Sequence, residues 1–220
     1  MMQRGPMQGL AALLLAALVV VPDTARAANG TADASGVGSP ETHSSDVSKP
    51  GAGQAGAPMV ALGGHFHLQT LDGQPTSESS FPDRWQLIYF GFTFCPDTCP
   101  TVLNQMTAAL KDLGALAERI QPLFITIDPE RDTADQLRAY LKHFDARIVG
   151  LRGSPQETDA AAAAYRVFVK VQRSATDSEH YSIEHSSFLF LMKPDGSFAR
   201  LLQAEGGGHQ LADQLRSLVQ

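Results

Sequence analysis

The run Gln86-Leu-Ile-Tyr-Phe-Gly-Phe-Thr-Phe-Cys-Pro-Asp-Thr-Cys-Pro100 decides how the rest of the chain is read. Its first half is apolar without a break, as in a strand buried on both faces of a sheet. Its second half holds both cysteines of the 220-residue chain, Cys95 and Cys99. Their spacing puts them on one face where a helix begins, since positions i and i+4 stack. Pro96 and Pro100 fix φ and remove a donor at each flank, which stiffens the loop. The positive end of the helix dipole favours thiolate over thiol there. Two such sulfurs can grip a soft metal ion, or close a small disulfide and reopen it. The residues leave both uses open.

Downstream, Val102/Leu103, Met106, Ala109/Leu110, Leu113 and Leu116/Ala117 recur at helical spacing. Leu123–Ile127 predicts the next buried strand, and 128–133 a polar loop. Thr133 with Gln136 predicts a capping box opening a helix to about Phe144. Ile148–Leu151 is a short strand. Ser154-Pro155-Gln156-Glu157 has Ser at N-cap, Pro at N1 and Glu at N3, so a helix should run to about Tyr165. Val167–Gln172 and Ser186–Met192 read as strands. Lys193-Pro-Asp-Gly is a turn leading into Ser197–Leu202, and 210–219 is a terminal helix. Upstream, His65–Thr70 and the turn Leu71–Gln74 predict an opening strand or hairpin.

Strands alternating with helices imply an α/β fold with a central, mainly parallel sheet. A cysteine motif between strand and helix, with a β-hairpin and helix at the end, predicts a thioredoxin-like fold with an inserted βα unit. There is no internal repeat, Walker loop, GxGxxG or serine nucleophile elbow.

The N-terminus suggests an address. Arg4 precedes the apolar run Leu10–Val21, then Pro22 and the small-residue triplet Ala25-Arg26-Ala27. That is the pattern of a secretory signal over 1–27. The run is short against the ~20 residues of a bilayer span. Cleavage is the favoured reading and a retained anchor the alternative; both place the folded part outside the cytoplasm, in a bacterial periplasm. Residues 28–58 hold almost no large apolar side chain and read as a flexible leader. The remaining part, 59–220, is one domain of roughly 160 residues. With 17 Lys+Arg against 23 Asp+Glu and no basic stripe, nucleic acid is not an expected partner. Two cysteines are too few for a disulfide scaffold, so chemistry is the better reason for them.

Two thiolates leave Cu(I) or Zn under-coordinated, so a third ligand is expected among seven histidines. His185 is the strongest candidate because it stands just before a buried strand near the cysteine loop. His65 and His67 alternate, so on a strand they share a face and offer a weaker second site. His43, His143, His180 and His209 have no partner pattern, and Met59, Met106 and Met192 form no copper-binding cluster. Asp97 is a loop residue or a thiolate tuner. Asp128 is a turn residue or a group facing the same sheet edge. Thr93 and Arg131 supply residue types a peroxidase uses, but the cysteine spacing fits that chemistry poorly.

Tyr89–Pro100, Ile127-Asp-Pro-Glu-Arg-Asp-Thr133, Ala164-Tyr-Arg-Val167, Glu184-His-Ser186 and Leu191-Met-Lys-Pro-Asp-Gly196, in this order, resemble the Sco/SenC family over about 60–205. The resemblance implies a thioredoxin-like domain binding copper, as Cu(I) and also Cu(II), through Cys95, Cys99 and His185. It implies delivery to the binuclear copper site of cytochrome c oxidase, with Cys95 and Cys99 forming a disulfide when oxidised. A binding module rather than an enzyme is the first expectation. The alternative is a thiol-disulfide oxidoreductase that reduces the cysteines of that site. The oxidase's copper-site subunit is the implied partner, with another periplasmic copper carrier or a thiol reductant beside it. Membrane contact follows only if the N-terminal segment stays as an anchor. Two positions depart from the family pattern. Phe94 stands where His or Tyr is common, and Glu184 replaces the Asp that usually precedes the distal histidine. If that carboxylate orients the imidazole, its longer arm changes the contact.

Overall fold

The computed structural model describes residues 62–173, 181–204 and 206–219. The signal, the leader, His43, Met59 and His180 lie outside the described residues.

The apolar runs become the middle of a seven-stranded sheet. β1 (Leu68–Thr70) and β2 (Pro75–Thr76) form the predicted opening hairpin, closed where Thr70 N–H donates to the Gln74 carbonyl at 2.9 Å. β3 (Trp85–Gly91) leads to α1 (Thr98–Leu113), β4 (Ile120–Thr126), α2 (Ala134–Leu141), β5 (Val149–Arg152) and α3 (Pro155–Ala164). After a separate ribbon, β8 (Leu189–Met192), β9 (Phe198–Leu202) and α4 (Gly207–Leu218) end the chain. The sheet order is β2-β1-β5-β4-β3-β8-β9. Its core β5-β4-β3 is parallel, and the hairpins at both edges are antiparallel. Every residue of β4 is buried, and Leu87 to Phe90 of β3 are closed off from water, as strands covered on both faces require.

Neighbouring residues of β3 point to opposite faces and show what covers each. The Tyr89 hydroxyl reaches Cys99 Sγ in α1 at 3.5 Å. Phe90 packs instead on Tyr165, which caps α3, with ring centroids 5.3 Å apart; Phe190 of β8 joins both rings edge-on. Helix α1 buries Cys99, Val102, Leu103, Met106, Ala109, Leu110 and Leu113, the stripe its spacing predicts. Helix α4 lies close against it: a Cβ on Gly208 would sit 2.4 Å from the Ala108 methyl. The helix starts hold as well. The box at Ser154 and Glu157 forms completely. At Thr133 only half of it forms, its side chain accepting from Gln136 N–H.

One expectation changes. Val167–Gln172 does not continue the alternating series into the main sheet. β6 (Val169–Arg173) leaves it and pairs antiparallel with β7 (Tyr181–His185), a strand not anticipated, as a two-stranded ribbon. The reason is polarity: of these two strands only Ile183 is buried, so neither could sit inside the sheet. The strand expected over 186–192 begins only at Leu189, with 186–188 carrying the chain from ribbon to sheet. Among the described residues no helix is long and apolar enough to cross a membrane.

Candidate metal centre

The cysteines sit where β3 hands over to α1, at the carboxyl end of the parallel strands. Ligand sites favour such strand ends because loops and helix N-termini converge there. Gly91, the last residue of β3, makes room: a Cβ there would lie 3.1 Å from Cys99 Sγ and 2.9 Å from the Phe124 ring. Cys99 lies in the first turn of α1 and is wholly buried, while Cys95, on the loop, is half-buried. The Cys99 backbone N–H donates to Cys95 Sγ at 3.3 Å.

The loop is held from beneath by Asp132. Its carboxylate accepts from Thr93 N–H at 3.1 Å, from the Thr93 hydroxyl at 2.6 Å and from the Thr126 hydroxyl at 2.6 Å. Asp132 is fully buried, and that burial pushes its carboxyl above the usual range despite these donors. One buried group thus ties the cysteine loop to the end of β4.

His185 closes the site from the ribbon. Its Nε2 lies 3.7 Å from Cys99 Sγ, although 86 residues separate them. Nδ1 stands 2.8 Å from the Ser186 carbonyl, which can only accept, so Nδ1 carries the hydrogen and Nε2 faces the sulfur. The ring also lies edge-on to Phe92 at 5.8 Å and tilted to Tyr89 at 6.3 Å. The ligand atoms of Cys95, Cys99 and His185 all fall within 4.8 Å of one another. They are the one such cluster among the described residues.

The two thiols share protonation unequally. The hydrogen bond from Cys99 holds the Cys95 thiol down to about 4, against the opposing effect of burial, with His185 acting in the same direction. Cys99 is pushed well above the usual thiol range, first by that same bond to Cys95 and then by burial. The half-buried sulfur is therefore the thiolate and the buried one keeps its proton. Buried Tyr89, whose hydroxyl bonds to Cys99, is raised beyond the ordinary phenol range by desolvation.

The donor set fits a soft ion. With metal–ligand bonds of about 2.0–2.3 Å, three ligand atoms around one ion stand roughly 3.5–4 Å apart. The 3.7 Å sulfur–nitrogen separation is already of that size.

The remaining predicted residues fall elsewhere. His65 and His67 precede β1 rather than lie in it, and both are exposed. His65 pairs with Glu78 at 2.5 Å, so no second metal cluster forms there. His143 is exposed, His209 pairs with Asp112, and Met106 and Met192 are core residues. The Asp97 side chain does not cap α1, though its backbone N–H helps hold the Cys95 thiolate. Phe94 turns outward, 53% exposed. Glu184 does not orient the imidazole; it accepts from Gln172 on the neighbouring strand, and the Ser186 carbonyl takes the orienting role. Two residues of the site gave no local signal. Asp132 and Tyr181 act on partners 39 and 53 residues away in sequence.

Fold and site together define a thioredoxin-like domain carrying a two-cysteine, one-histidine cluster. A profile of the SCO1/SenC family matches residues 54–220, so the chain belongs to that family. It is 34% identical over 165 residues to mitochondrial protein SCO2 of Saccharomyces cerevisiae, covering 73% of this chain and 55% of that one. It is 36% identical over 171 residues to a SCO2-like protein of Rickettsia conorii, covering 77% and 83%. The structure of Bradyrhizobium japonicum ScoI with copper bound superposes with a TM-score of 0.66 at 33% identity, over 72% of this chain and 99% of that one. The chain spans about half the length of the mitochondrial relatives it matches.

Proposed function

We propose that this chain is a periplasmic copper carrier that holds one copper ion through Cys95, Cys99 and His185 and passes it to the binuclear copper site of a cytochrome c oxidase. The carrying observation is the convergence of three soft or borderline ligand atoms within 4.8 Å from two separate parts of the fold. The copper-bound ScoI relative supports copper over zinc. Transfer proceeds by ligand exchange: thiolates of the acceptor replace the three donors one at a time, entering on the exposed side at Cys95. Oxidising both thiols to one disulfide removes two electrons and both sulfur ligands together, so carriage requires the reduced pair. Residues 1–27 serve as the secretory signal, 28–58 as the tether and 59–220 as the carrier domain; the signal-like run at Leu10–Val21 supports export.

The test is metal analysis of the reduced protein after Cu(I) loading and desalting. Wild type should retain one equivalent, Cys95→Ser and Cys99→Ser none, and His185→Ala much less. Full retention by His185→Ala would overturn the assignment.

The unequal thiols favour a second reading, reduction of the oxidase subunit's cysteines. The Cys95 thiolate attacks the client disulfide and forms a mixed disulfide, releasing one client thiolate. Cys99 then gives up its proton and attacks Cys95 Sγ. The client leaves as a dithiol, and the Cys95–Cys99 disulfide carries the two electrons' worth of oxidation. Stoichiometric release of client thiols by the reduced, metal-free protein supports this reading, and none argues against it.

A further inference from the structure

His185 belongs to a ribbon that shares no strand pairing with the seven-stranded sheet carrying the cysteines. Something must therefore hold it at bonding distance from them. At its base the ribbon is tied by Ser186 N–H donating to the Phe168 carbonyl and Phe168 N–H donating to the Ser186 hydroxyl. At the far end of β7 stands Tyr181, and there a single side chain gathers both halves of the site.

That side chain is Arg131, from the loop after β4. Its Nε donates to Asp128 Oδ2 at 2.5 Å and its Nη1 donates to the Tyr181 carbonyl at 3.0 Å. The guanidinium carbon lies 3.6 Å from the Tyr181 ring centroid. It also lies 4.8 Å from the centroid of Phe94 and 5.9 Å from that of Phe92. Tyr181 completes the arrangement by donating its hydroxyl to Asp128 Oδ1 at 2.5 Å. Phe94 adjoins Cys95, and Phe92 packs edge-on to His185 itself. The Asp128 side chain is 3% exposed and that of Arg131 19%, so little water competes for the pair. A planar, forked cation is needed here, because one group must bond a carboxylate, bond a carbonyl and stack on rings together. Lysine would supply the charge alone.

We propose that Arg131, seated by Asp128 and Tyr181, is a positioning residue that sets the approach of His185 Nε2 to the cysteine pair; this rests on the copper reading above. It acts through the ribbon and touches no ligand atom. The ribbon is short of buried side chains, so its aim over the site depends on this clasp more than on packing.

The test compares reduced full-length wild type, Arg131→Lys and Tyr181→Phe, each also in a His185→Ala background. Tyr181→Phe keeps the ring and loses only the bond to Asp128, so it reports even if the arginine variant folds poorly. Cu(I) affinity is read by competition with a chromophoric chelator, and the His185 ring resonances are read by NMR on metal-free protein. Arg131→Lys should weaken Cu(I) binding about tenfold, the usual size for a group behind a metal ligand. Tyr181→Phe should weaken it less, and both losses should vanish once His185 is alanine. The His185 resonances should move in both variants without metal. Unchanged resonances, or an affinity loss that persists in the His185→Ala background, would overturn the proposal. Absence of Cu(I) binding by wild type, with the resonance shifts intact, would sink the copper reading and leave the positioning role standing.

Discussion

Cys95 and Cys99 hang from β3 and α1, whose packed residues are closed off from water. His185 ends a ribbon whose two strands, among the described residues, bury only Ile183. The cysteine half is held by apolar burial, reinforced by one buried carboxylate under the loop. The histidine half is held by a forked cation, three aromatic rings and a few backbone bonds. Burial is non-directional and resists small changes, whereas a clasp of polar and stacking contacts has few positions it can adopt. The centre thus joins a rigid pair of sulfurs to a separately aimed imidazole. That division is what the proposed carrier needs, since its ion would be gripped and then released one ligand at a time.

The contrast can be tested from its largest expected effect to its smallest. Within the cysteine half, the two sulfurs should differ almost completely in reactivity. In the reduced, chelator-treated native protein, iodoacetamide should modify Cys95 and spare Cys99, as peptide mass mapping would show. The sign of the pH dependence follows from the lowered Cys95 value: a group held down to about 4 stays thiolate at neutral pH and loses reactivity only on acidification through that point. The rate should be flat from neutrality to about pH 5 and fall below it; a rise only above pH 8 would break the assignment of Cys95 as thiolate.

Next comes the sheet. Leu123→Ala removes a fully buried side chain from the central strand and should cost about 3 kcal/mol in urea unfolding. Asp132→Ala deprives the Thr93 N–H and two hydroxyls of their acceptor and should cost about 2 kcal/mol, with loosened amide protection around Cys95. Val171→Thr on the outer side of the ribbon should change stability by less than about 0.5 kcal/mol. If the ribbon substitution cost as much as the sheet one, the two-part picture would fail.

The same contrast explains what could be read in advance. The strands of the sheet, the stripe of α1 and the Ser154 cap announced themselves because burial and capping leave local patterns. Gln86–Phe92 and Leu123–Ile127 gave β3 and β4 within a few residues. The ribbon carries no such pattern. Tyr-Ser-Ile-Glu-His has one buried residue in five, so no strand pattern marks β7, and the sequence alone points β6 to a sheet it does not join. Of the site, the cysteines were legible from their spacing and His185 from its place before a buried strand. Asp132, Tyr181 and the clasp at Arg131 were not, since their links to Thr93, Asp128 and Tyr181 span 39, 53 and 50 residues and only the fold makes them. Glu184 misleads for the opposite reason. Adjacency in sequence suggested contact with His185, but on a strand neighbouring side chains point to opposite faces.

In the proposed copper centre one Cu(I) is shared by the two cysteines and the histidine. X-ray absorption at the copper edge of the reduced protein, loaded with one equivalent, tests it most directly. The wild type should show two sulfur scatterers and one imidazole nitrogen, and His185→Ala should lose the nitrogen and keep both sulfurs. A wild-type spectrum with sulfur scatterers alone, or one unchanged by His185→Ala, would rule out the three-ligand centre.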